Sequence, residues 1–97
     1  MIEQFHIYSY SSQLVVVLTN TTFNDVESLL VAPLKKQCRT LIRHLQIPCS
    51  LAGEEHYIDL LDIATVSQKN LKASKFSHIT QKRQDIKYGL DLLIDGF

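Results

Sequence analysis

Hydrophobic positions along this chain follow two periods. Between residues 2 and 10 they alternate: Phe5 and Ile7 point one way, and Gln4, His6 and Tyr8 the other. Period two with aromatic and β-branched residues predicts a strand. Ser11-Ser12 is a turn signal. Leu14-Val15-Val16-Val17-Leu18 is an unbroken apolar run, the pattern of a buried strand, so the two segments are expected to form a hairpin. Residues 19–25 are polar and predict a loop in which Phe23 stands alone. Residues 26–34 resume a strand, with Pro33 near its end, where a missing N–H is tolerated.

The period then changes. Leu34, Cys38, Leu41, Ile42 and Leu45 fall at helical spacing, with Lys35, Lys36, Arg39 and Arg43 on the other face. That spacing predicts a short helix over residues 34–45. Residues 47–51 and 56–61 flank Ala52-Gly53-Glu54-Glu55 and read as a second hairpin. Residues 62–66 predict a bend, 68–71 a short edge strand and 73–78 a loop. From Ser77 on, Ile79, Ile86, Leu90, Leu93 and Phe97 share one helical stripe, and Gln84, Lys87, Asp91 and Asp95 share the opposite face. Ser77 or Thr80 is expected to cap this helix, which spans roughly 25–30 Å at about 1.5 Å per residue. Past Tyr88 the apolar surface widens to take in Leu92 and Ile94. One sheet face needs less than that, so a second surface to cover is expected.

Composition narrows the function classes. The chain has 97 residues and reads as one domain over 1–97, with 45% hydrophobic residues, too many for disorder. Ten basic and ten acidic residues give zero formal charge. Phosphate binding wants a basic excess, so direct nucleic-acid binding is not expected, nor is an acidic membrane surface. Six Lys or Arg and one Asp between Lys69 and Lys87 make a local basic face, which reads as a solvated one. Neither a signal peptide nor an apolar run long enough for a membrane span is visible, and the expectation is a cytoplasmic protein. Cys38 and Cys49 are too few for a disulfide framework and read as buried thiols.

Candidate chemistry is sparse. No phosphate-binding loop, dinucleotide fingerprint, zinc-protease motif or nucleophile elbow occurs. His44, Cys49 and His56 match no zinc spacing, and no metal or cofactor is expected. Glu54-Glu55 are neighbours in a turn and do not converge on one substrate. No nucleophile stands with a base, so no catalytic residue is assigned. The end of the last helix is the exception. Asp91, Asp95 and a terminal carboxylate stand where helix carbonyls already carry partial negative charge. Each misplaced anion there costs about 0.3–1 kcal/mol. A negative tip with an aromatic, Phe97, suits a cationic partner such as an arginine.

Four segments carry a family resemblance. Phe5-His6-Ile7-Tyr8 resembles the opening strand of CcdB, the toxin of a plasmid toxin–antitoxin module. Leu29-Leu30-Val31-Ala32-Pro33-Leu34 is similar to that family's strand closing in Pro-Leu, and Asp62-Ile63-Ala64-Thr65-Val66 to its Asp/Glu-x-Ala-Ser-Val/Ile segment. Asp85-Ile86-Lys87 through Leu92-Leu93-Ile94-Asp95-Gly96-Phe97 resembles its C-terminal helix. The resemblance implies a mostly β fold: a small antiparallel sheet or SH3-like barrel (CcdB/MazF-like) with a C-terminal amphipathic helix. It implies a homodimer that poisons DNA gyrase by binding the A subunit without catalysis, neutralised by the disordered tail of a cognate antitoxin. It places target contacts at Asp95, Gly96 and Phe97, with Asp91 and Ile94 one turn earlier, and more loosely at Phe23. Two alternatives stand beside it. One is a MazF-like mRNA endoribonuclease, for which Arg39-Thr40 is the only candidate. The other is a non-toxic homologue that only dimerises and binds antitoxin.

Overall fold

The first predicted hairpin forms as expected, from β1 (His6–Tyr10) and β2 (Gln13–Val17). The computed structural model describes residues 2–20, 27–36, 40–78 and 80–96. Ser11 and Ser12 both take left-handed backbone, φ 48° and 67°, the paired positive φ that a two-residue turn between twisted strands needs. Ala52 and Gly53 repeat the device at φ 50° and 83°, joining β4 (Gln46–Leu51) to β5 (Glu54–Asp59).

β3 (Ser28–Lys36) organises the sheet. One edge pairs with β2 over Val31 to Pro33. Ser28 to Val31 also pair with β6 (Ala64–Ser67), and Leu34 to Lys36 with β5. β3 therefore passes from one sheet into another, and the strand order is β4-β5-β3-β2-β1-β7, with β6 on β3 and β7 (Lys72–His78) at the far edge. Pro33 was expected near the end of its strand but sits inside it. It is tolerated because Ala32 and Pro33 fall between the β6 and β5 registers, where the missing N–H has no ladder partner to disappoint. All pairings are antiparallel, and one helix, α1 (Arg83–Asp95), follows the last strand. The mostly β class with a C-terminal helix is thus the observed one.

The apolar run in β2 is buried on both faces. Val16 and Leu18 join one core with Phe5, Ile7, Leu34, Ile58, Leu60 and Ile86, the last supplied by α1. Val15 and Val17 join a second, with Leu29, Val31, Val66 and Leu71. Alternation within an unbroken run serves two cores at once, because successive side chains leave opposite faces.

Four element expectations are corrected. The helix over residues 34–45 does not form among the described residues: Leu34, Lys35 and Lys36 continue β3, opposite Ile58, Tyr57 and His56. Residues 40–45 are irregular, with Leu45 and Gln46 amides both donating to the Ile42 carbonyl at 3.2 and 2.9 Å. The helical spacing joined residues of two different elements. The bend at 62–66 is a 3₁₀ turn, Leu60–Asp62, followed by strand β6. The edge strand at 68–71 is a 3₁₀ turn, Gln68–Asn70, closed by Leu71 N–H on the Gln68 carbonyl at 3.2 Å. The loop at 73–78 is strand β7. Among residues 72–76 only Ser74 and Phe76 are partly covered, and a register irregularity against β1 hides the period further. Ser74 Oγ fills that irregularity, lying 2.8 Å from the Ile7 carbonyl and 2.7 Å from the Phe76 carbonyl, with one proton to share between them. Cys38, Arg39 and Ile79 lie outside the described residues.

Candidate functional site

α1 starts later than the sequence suggested. A 3₁₀ turn, Thr80–Lys82, precedes it, and its N-cap is Lys82, which makes no side-chain capping bond. The α-helical segment of 13 residues is therefore about 20 Å long. Asp85 in the first turn meets the positive end of the helix dipole.

Seating is concentrated in two turns. Ile86 is fully buried in the first core, Gly89 is buried and Leu90 is half-buried. Glycine inside a helix costs about 1 kcal/mol relative to alanine. Here it permits close approach: a Cβ at Gly89 would run into the His44 carbonyl and Leu60 Cδ1. Next to it, the Tyr88 ring meets the His44 ring edge-on, centroids 4.8 Å apart at 80°. His44 itself has φ 69°, so its carbonyl is turned by a left-handed backbone step.

Beyond Leu90 the helix outruns its support. Leu93, on the stripe of Ile86 and Leu90, is 41% exposed, and Ile94 is 78% exposed. Asp91, Asp95 and Gly96 are exposed as well. Gly96 ends the helix at φ 72°, ψ −139°, a conformation natural only to glycine, while its N–H donates to the Leu92 carbonyl at 2.9 Å. No basic residue stands in the last turn. Neither Asp91 nor Asp95 has an ion-pair partner among the described residues.

Asp91, Ile94, Asp95 and Gly96 thus share the last turn and a half of one helix. They do not all face one way. Asp91 lines a cavity of about 240 Å³ with Gln4, Phe5, Leu18, Lys87 and Leu90. Arg83 closes the same cavity, its guanidinium 5.5 Å from the Phe5 ring centroid. Phe23 and Phe97 lie outside the described residues.

The other sequence candidates are dispersed. Cys49 and His56 are opposite one another in the β4–β5 register and buried, whereas His44 is on an exposed loop. Burial pushes the Cys49 thiol up, away from thiolate reactivity. Glu54 and Glu55 are exposed, with Glu54 3.8 Å from Lys36 Nζ. Thr40 is exposed, and its neighbour Arg39 lies outside the described residues.

Sequence reading missed one cluster. Asp59, 5% exposed, accepts from Lys35 Nζ at 2.8 Å, the Leu61 amide at 3.1 Å and Gln46 Nε2 at 3.4 Å. Lys35 Nζ also lies 3.0 Å from Asp62. The hydrogen bonds to Asp59 and Asp62 push the Lys35 pKa up to about 12. Burial alone would raise the Asp59 pKa, but the bonds from Lys35, Leu61 and Gln46 outweigh it and hold the carboxyl below its usual value. The available signal was an acid inside the apolar run Tyr57-Ile58-Asp59-Leu60-Leu61.

Among the described residues no helix is long and apolar enough to cross a membrane. A family model described as CcdB protein matches residues 4–96, nearly the whole chain. No curated protein matches it.

Proposed function

Since this chain belongs to the CcdB family, the toxins of toxin–antitoxin modules, we propose that it acts by binding, through the end of α1, to the A subunit of DNA gyrase. In this reading Asp95 pairs with an arginine of the target and Phe97 enters an apolar notch. Gly96 turns the chain between them, and Asp91 and Ile94 extend the contact by one turn. A single observation carries it: Leu93 and Ile94 leave the core beside two carboxylates that have no ion-pair partner among the described residues. Exposed apolar groups next to unpaired charge are costly in a free molecule and useful at an interface with a cationic partner. A homodimer would cover part of the same apolar surface, and the acidic tail of a cognate antitoxin would neutralise the toxin. The protein works without catalysis.

The test is deletion of Asp95 to Phe97. These residues follow the seated part of the helix, so unfolding stability is expected to stay within about 0.5 kcal/mol of the full chain. Capture of the gyrase A subunit and gyrase-linked DNA breaks are expected to disappear. A truncated chain that still poisons gyrase refutes the reading.

A further inference from the structure

Both surfaces that seat α1 trace back to one polar cluster. Leu60, which touches Gly89, begins the 3₁₀ turn capped by Asp59, whose Oδ1 accepts the Leu61 amide at 3.1 Å. His44, the other contact of Gly89, belongs to the loop that Gln46 holds. The Gln46 side-chain oxygen accepts the Ile42 amide at 2.9 Å, while its nitrogen donates to Asp59 at 3.4 Å. Leu60 N–H closes the circuit on the Leu45 carbonyl at 2.9 Å. Lys35, projecting from β3, anchors Asp59 and Asp62 at 2.8 and 3.0 Å. Asp59 therefore ties the two walls through side chains, alongside the backbone bond from Leu60 to Leu45.

We infer that Asp59, Gln46 and Lys35 form a positioning cluster that sets the angle at which α1 leaves the core, and with it the location of Asp91, Ile94, Asp95 and Gly96. None of the three is itself a contact residue for the target. The cluster acts through Leu60 and the His44 carbonyl on Gly89, and a glycine at that point has no side chain to absorb an error. A shift at the seat is carried to Ile94 by a continuous helical backbone. As a statement about target binding, this rests on the proposed role of the helix end; as a statement about helix position, it does not.

The experiment compares three variants of the full chain. Gln46→Ala cuts the tie between Asp59 and the loop. Asp59→Asn keeps an acceptor for Leu61 but removes the charge facing Lys35. Val31→Ala destabilises the second core, which α1 does not enter. Gln46→Ala and Asp59→Asn are expected to shift the amide resonances of Gly89 and Gly96, to speed hydrogen exchange over 89–95, and to weaken gyrase A binding by about five-fold. Val31→Ala is expected to lower the melting temperature while leaving those resonances and that affinity in place. If Gln46→Ala leaves the Gly89 and Gly96 amides unmoved, the inference is wrong, whatever happens to Asp59→Asn. If Gln46→Ala and Val31→Ala disturb the helix equally, it is wrong too, since the effect is then general loosening. If the unaltered protein does not bind gyrase, the proposed function fails, and the resonance and exchange measurements still decide the positioning role.

Discussion

The two halves of α1 share a backbone and a periodicity but live under different constraints. Ile86 is fully buried in the first core, and Gly89 is buried against Leu60 and His44. Leu93 continues the same stripe and is 41% exposed, and Ile94 one residue on is 78% exposed. Amphipathic spacing alone does not distinguish them, since both satisfy it. What separates them is the reach of the seat beneath, built by Leu60 and the His44 loop: the seat stops and the helix continues. The first half answers to the fold and the second to whatever it meets.

Ile86→Ala presses hardest on that contrast. Emptying a fully buried position is expected to cost about 3–4 kcal/mol in urea unfolding. A cost below about 1 kcal/mol would mean that the first half is no better seated than the second. Gly89→Ala comes next: helix propensity favours alanine, but the clash with the His44 carbonyl and Leu60 should leave a net loss of about 2 kcal/mol. A stabilised variant would show that the seat yields easily.

A smaller effect concerns pH. The Asp59 carboxyl has a lower pKa in the folded chain than in the unfolded one, so its contribution is present above about pH 4. It is lost as pH falls through the folded-state value. Asp59→Asn should therefore flatten the acid limb of the stability curve. On the alkaline side, the raised Lys35 contributes fully below about pH 10.5 and its contribution is lost as pH rises through about 12. Ile94→Ser is expected to change stability least, by under about 0.5 kcal/mol, while lowering affinity for the gyrase A subunit about tenfold. Equal affinity would remove Ile94 from the contact.

Local patterns carried the first hairpin, the second hairpin and the existence of the last helix, because each is written in neighbouring residues: Ser11-Ser12, Ala52-Gly53, and the spacing of Ile86, Leu90 and Leu93. Errors arose where pairing is long-range. Leu34 is a strand residue because of Ile58, and nothing near Leu34 announces that. β7 reads as a loop because its partner is β1, far away in sequence, and its outer edge is lysine-rich. At the candidate site, the exposed apolar and acidic positions were legible as a mismatch of composition with place. The reason they are exposed was not legible, since it depends on where the seat built by Leu60 and the His44 loop ends. Asp59 was invisible for a similar reason: its partners Lys35 and Gln46 come from two other strands.

β3 has a consequence for how the molecule comes apart. A strand that gives its first half to β6, its middle to β2 and its last residues to β5 couples those three strands through one backbone, so none of them can part from the other two while β3 stays paired to all. Its backbone amides should open to solvent only in global unfolding. Heat should then dismantle both sheets in one calorimetric transition, with the seated half of the helix leaving alongside them.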